Sequence, residues 1–187
     1  MSMWAWAALV IIVVVGGYIL LAYNSLVRRR NHVREAWSDI DVQFKRRHDL
    51  IPNLVETVQG YAAHEREAFA SVTQARAQAL GAQTAPAKAQ AENMLSATLK
   101  SLFAVAEAYP DLKANTNFLE LQRELSDTEN KIQAARRFYN TNVRDYNTAI
   151  ESVPTNIVAQ LFGFKSEEYF ELDDEAARSV PKVAFGK

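Results

Sequence analysis

The chain has 187 residues, a formal net charge of -1 and no cysteine. Without thiols it holds neither a disulfide framework nor a Cys-ligated zinc or iron–sulfur site. The balanced charge argues against a basic nucleic-acid binder, and 49% hydrophobic content against 23% charged excludes wholesale disorder. Six Gly and five Pro are about half of average usage, so long helices are expected rather than many short strands.

The first element is MWAWAALVIIVVVGGYILLAY, residues 3–23, which carries no charge. As a helix it covers about 30 Å, the thickness of a bilayer core. Trp4 and Trp6 stand at one end and Tyr18 and Tyr23 toward the other, as interfacial rings do. A cleaved signal peptide would want a basic n-region and a shorter apolar core. Only Met1 and Ser2 precede the run, so an uncleaved anchor is expected. Arg28, Arg29, Arg30 and Arg34 follow it, and contact with anionic headgroups explains them more simply than nucleic acid does. The positive-inside rule then puts the N-terminus outside and the body in the cytoplasm. Gly16-Gly17 forms no GxxxG motif.

Beyond Tyr23 the apolar pattern repeats every seven residues. One series is Trp37, Phe44, Ile51, Val58, Glu65, Val72 and Ala79; the other is Ile40, Arg47, Leu54, Tyr61, Ala68 and Ala75. Pro52 falls inside without shifting the phase, which predicts one kinked, continuous helix from the membrane to about Leu80, with a break capped by Asp49 as the alternative. Gly81, Thr84 and Pro86 mark a loop and a helix start. The second helix is expected to reach about Ala108, with Ala91, Leu95, Leu99, Leu102, Ala106 and Tyr109 inward, and Tyr109-Pro110-Asp111 stops it.

Asn115 is a candidate N-cap for the third helix, in which Phe118, Leu125, Ile132, Tyr139, Tyr146 and Val153 repeat every seven. Pro154 ends it. A short helix, Ile157 to Phe162, follows and stops at Gly163, and Ser166 can cap one more segment. The expected architecture is all-α. A transmembrane helix (residues 3–23) continues into a long antiparallel bundle (24–165) of three long helices plus short C-terminal helices, and an acidic segment (166–187) closes the chain. Helices of unequal length leave part of the first uncovered. It must pack on the third helix, on the short C-terminal helix or on another protomer.

The stretch YNSLVRRRNHVREAWSDIDVQFKRRHDLIPNLVETVQGYAAHE resembles a signature of the LemA family. YPDLKANTNFLELQRELSDTENKIQAARRFYNTNVRDYNTAIESVPTNIVA resembles its second. The ending, Tyr169-Phe170-Glu171 and then Pro181 to Phe185, is similar to the family's tail. The resemblance implies a membrane anchor and an all-helical bundle in a bacterial protein, with no enzymatic activity established for the family. Some relatives carry a lipoprotein cysteine before the Tyr-Asn pair; Ala22 stands there in this chain.

No catalytic, metal or cofactor motif emerges. His32, His48 and His64 are sixteen residues apart, about 24 Å along a helix, too far to share an ion. His64-Glu65 begins like HExxH, but Ala68 takes the second histidine's place. Asp39 and Asp41 point to different faces among Arg34, Lys45, Arg46 and Arg47, so ion pairing is expected of them. Three polar residues hold inward positions: Arg47, Glu65 and Asn142. They must be paired or hydrogen-bonded, either as register-setting contacts or as a patch for a partner. Tyr139-Asn140-Thr141-Asn142 and Tyr146-Asn147 present hydrogen-bonding groups on several faces.

The function these features support is a non-enzymatic, membrane-tethered scaffold or interaction protein of the bacterial envelope. Its expected partners are the lipid bilayer and unidentified membrane or envelope proteins, with no cofactor and no nucleic acid. A homo-oligomer that organises the membrane is one alternative; a cryptic enzyme or ligand-binding bundle is another.

Overall fold

The computed structural model describes residues 2–170, and among these there are six helices and no strand. They are α1 (Met3–Gln59), α2 (Arg66–Gly81), α3 (Ala85–Ala106), α4 (Pro110–Lys113), α5 (Thr116–Glu151) and α6 (Thr155–Leu161). The acidic residues from Glu171 onward and the Pro181–Phe185 tail lie outside the described residues.

Helix directions follow from which residues meet. On α1 and α5, Arg29 faces Asp145, Trp37 faces Tyr139 and Arg46 faces Glu124, so the two run antiparallel. On α1 and α3, Asp41 faces Lys88 and Arg47 faces Glu92 and Ser96, so these run parallel. With α2 returning between them, the distal half is an up-down-up-down four-helix bundle.

The helix starts read from sequence are present. Thr84 Oγ1 accepts from the Ala87 N–H at 3.4 Å, and Asn115 Oδ1 accepts from the Phe118 N–H at 3.0 Å. Pro52 lies within α1, and the helix runs on past it. The expected continuation to Leu80 is corrected. α1 stops at Gly60, a turn follows, and α2 folds back along α1. Heptad phase survives this reversal because both halves present their stripe to one core. Ile51, Leu54 and Val58 from α1 meet Phe69, Val72 and Ala79 from α2. Periodicity reports which face is buried, not which way the chain runs.

The described residues form two apolar cores. The distal one lies between α1, α2, α3 and α5, around Leu54, Val72, Leu95, Leu102 and Phe118. The proximal one joins α1, α5 and α6 to residues 164–170, around Leu26, Ile40, Phe44, Tyr146 and Phe170. The membrane-proximal stripe of α1 is thus covered within the chain, by the two elements expected from the helix lengths and by an added strap. The strap is residues 164–170, where Ser166 starts no helix. Asn140 and Asn147 bind its backbone instead. The Asn140 amide donates to the Phe170 carbonyl at 2.9 Å and accepts from its N–H at 2.8 Å. Asn147 does the same for Glu167, at 2.9 Å each way. The Tyr139 hydroxyl adds a bond to the Glu168 carbonyl at 2.9 Å.

Val153 is another correction. α5 ends at Glu151, since a residue before proline avoids the helical region, and Val153 is 79% exposed. The start of α1 leaves the bundle altogether. Its most apolar stretch has a mean hydropathy of 2.5 and is long and apolar enough to cross a membrane, yet only 6% of that stretch is buried in the protein.

Candidate functional site

Between the two cores lies a layer of buried charge. Arg47 points inward from α1 and is 1% exposed; Glu92 answers it from α3 and is fully buried. Arg47 Nη2 donates to the Glu92 carboxylate, and Nη1 donates to Glu129 Oε2 at 2.6 Å and to Ser96 Oγ at 2.7 Å. His48 Nε2 stands 3.0 Å from the other Glu92 oxygen. Burial alone pushes the Glu92 carboxyl up. Hydrogen bonding to His48 and the Arg47 charge outweigh it, and the group sits below its ordinary value.

Arg136 completes the layer from α5. Its guanidinium lies between the rings of Phe44 and Phe170, with centroids 5.6 and 4.6 Å away, and Nη1 donates to Asn93 Oδ1 at 3.0 Å. Its Nε and Nη2 have no hydrogen-bond partner among the described residues. Burial, then the nearby Arg47 charge, pull its pKa down to about 10 against the pull of Glu129 and Glu92. Beside this layer, α3 and α5 part to leave a groove of about 410 Å³, lined by Arg47, Ser96, Leu99, Phe103, Leu125 and Glu129 among others.

The structure does not bring the three inward polar residues together. Arg47 is in the layer. Glu65 is half-buried at the N-cap of α2, at the far end of the bundle, where it accepts from the Tyr109 hydroxyl at 3.2 Å. Asn142 is half-buried and its amide turns back to the Phe138 carbonyl of its own helix at 2.9 Å. Cross-element contacts belong to its neighbours Asn140 and Asn147, because the deepest face of α5 runs through Tyr139, Val143 and Tyr146.

The membrane-interface set divides as well. Trp4 and Trp6 are 81% and 56% exposed at the free end of α1. The Tyr23 ring packs edge-on against Phe162 at 4.9 Å. Arg28 faces solvent, Arg29 donates to the Asp145 carbonyl at 3.4 Å, and Arg30 lies over the Phe164 ring at 5.1 Å. Asp41 pairs with Lys88.

Sequence reasoning missed Glu92, Glu129 and Arg136. For Glu92 a signal was present, since it precedes Leu95, Leu99, Leu102 and Ala106 at the same three–four spacing. His48, too far from His32 and His64 to share an ion with them, is 4% exposed and stands against Glu92. No group of three or more His, Asp or Glu side chains is placed to hold a metal ion among the described residues.

A helix apolar enough for a bilayer, continuous with a bundle that pairs Arg47 with Glu92 and Glu129 inside it, defines a membrane-associated helical-bundle protein. A model of the LemA family matches residues 36–185, and the chain belongs to that family. It is similar to Protein LemA of Metamycoplasma hominis, 29% identical over 81% of this chain and 69% of that protein. It is also similar to Magnetosome protein MamQ of Magnetospirillum gryphiswaldense, 25% identical over 81% of this chain and 65% of that protein. Magnetosome protein MamQ 2 of Paramagnetospirillum magneticum is 25% identical over 82% of this chain and 66% of that protein. The chain spans about two thirds of the length of these relatives.

Proposed function

We propose that this protein is a non-enzymatic, membrane-tethered scaffold of the bacterial envelope. One observation carries the reading: α1 is a single helix whose first third is apolar and exposed and whose remainder forms the spine of the bundle. Anchor and body are then one stiff element, suited to holding a binding surface at a set distance from a bilayer. The buried charges support a structural use. Arg47 pairs with Glu92 and Glu129, His48 closes on Glu92, and no nucleophile–base pair converges among them. The magnetosome naming of two relatives supports a place in an assembled cellular structure.

In this reading α1 crosses the inner membrane once, with its N-terminus outside and the bundle in the cytoplasm. The basic run after residue 23 favours that side. Partner proteins would dock on the bundle faces, the α3–α5 groove among them. The ligand-binding alternative keeps that groove as its one supporting observation. The homo-oligomer alternative loses its argument from uncovered stripe, since α6 and the strap cover it.

Two experiments test this. Intact cells carrying Ser166→Cys are treated with a membrane-impermeant maleimide. Labelling only after lysis is expected, and labelling of intact cells overturns the orientation. Photocrosslinkers placed at Gln122 and Leu119 in living cells are expected to give discrete adducts with membrane proteins. A turnover that survives purification and vanishes in a folded Arg47→Met variant overturns the non-enzymatic reading.

A further inference from the structure

The segment from Ser152 to Phe164, SVPTNIVAQLFGF, carries no charge; Glu151 and Lys165 flank it. It forms the α5–α6 turn, α6 itself and the turn at Gly163, whose φ of +69° suits glycine. Ala159 and Phe164 face the proximal core, and Val158 is buried. The opposite side is apolar too, and open. Val153 is 79% exposed, Ile157 65%, Leu161 69% and Phe162 50%. Ile157 and Leu161 are four apart and share one face. Four large apolar side chains on so short a segment form a patch that water disfavours.

The position of this patch along α1 says what covers it. Thr155 Oγ1 lies 3.2 Å from the Tyr18 hydroxyl, and Phe162 packs on Tyr23. Both tyrosines belong to the uncharged run of residues 3–23. From Met3, Tyr18 is about 22 Å and Tyr23 about 30 Å along the helix. The patch therefore flanks the last ~8 Å of a bilayer-length segment, the depth at which interfacial helices lie. The charges begin just above: Arg28, Arg29 and Arg30 on α1, and Lys165 after the patch.

We propose that the α5–α6 turn and α6 are a second membrane-inserted element, with Val153, Ile157, Leu161 and Phe162 seated in lipid at the acyl–headgroup boundary of the leaflet facing the bundle. This rests on α1 crossing the membrane as proposed above. The body is then held at two points, and its tilt relative to the bilayer is restrained.

The chain has no cysteine, so single reporters are clean. Three full-length variants, Leu9→Cys, Leu161→Cys and Ser126→Cys, carry an environment-sensitive fluorophore. They are reconstituted in phosphatidylcholine–phosphatidylglycerol vesicles with lipids bearing a doxyl group at shallow or deep positions. The probe at 161 is expected to emit blue-shifted, to lose most of its intensity with shallow doxyl lipid and to resist aqueous iodide. The probe at 126 should respond to iodide alone. Iodide quenching at 161, with lipid quenching at position 9, overturns the second contact and leaves the tether standing. Loss of lipid quenching at position 9 as well overturns both. Protection of 161 from lipid and iodide, with disulfides forming between unlabelled copies, overturns the proposal and makes the patch a contact between copies.

Discussion

Arg76 Nε of α2 donates to the backbone carbonyl of His48 on α1 at 2.9 Å. That carbonyl is free because Pro52, four residues on, has no N–H to give it. The proline that leaves α1 continuous thus creates the acceptor that ties α2 to it. Arg76→Ala is expected to cost about 1–2 kcal/mol, the penalty of leaving a part-buried acceptor unmade. In a Pro52→Ala background the restored N–H reclaims the carbonyl and the same substitution should cost less. A double-mutant cycle by denaturant unfolding measures the coupling, and strict additivity would show the link to be absent.

Glu92 is the centre of the buried layer. Glu92→Leu removes the buried partner of Arg47 and leaves it Glu129 alone, and a loss of about 3–5 kcal/mol is expected. Its folded-state pKa is depressed. The stabilisation is therefore complete above the unfolded value, about pH 4.3, and is lost as pH falls below it through the folded value. Unfolding midpoints across pH 3–6 should show this slope in the natural chain and a shallower one in Glu92→Gln.

Arg136 should behave in the opposite way to Arg47. Its pKa is drawn down to about 10, and two of its nitrogens lack partners among the described residues. Arg136→Met keeps the stacking volume between Phe44 and Phe170 and removes a poorly compensated charge. Thermal unfolding is expected to show a neutral or raised midpoint. A large drop would mean that the charge itself holds the strap.

The strap depends on two reciprocal amide pairs and one hydroxyl. Asn140→Leu should lose both bonds to Phe170 and cost about 1–3 kcal/mol. Hydrogen exchange should rise at residues 164–170 while the distal core, around Leu95 and Leu102, stays protected. Tyr139→Phe removes only the bond to the Glu168 carbonyl and should cost about 1 kcal/mol. Burial, then the charges of Glu167 and Glu168, push the Tyr139 pKa up to about 12. Its contribution is present below about pH 10 and is lost as pH rises toward 12. Spectrophotometric titration should find this late ionisation and lose it in Tyr139→Phe.

The amino-acid order alone determined the apolar 3–23 segment, the caps at Thr84 and Asn115, the inward face of α5 and the inward placing of Arg47. These are local facts, set by hydropathy, by 3.6-residue periodicity and by single side chains reaching their own backbone. Only the tertiary structure decided that the chain reverses at Gly60, that Arg47 meets Glu92 and Glu129 rather than Glu65, and that Asn140 and Asn147 grip the strap instead of Asn142 setting the register. It also decided that the outer face of α6 lies level with Tyr18 and Tyr23. A stripe states that a face is buried; which helix covers it, and in which direction, depends on loop closure and on charges pairing across more than forty residues of chain.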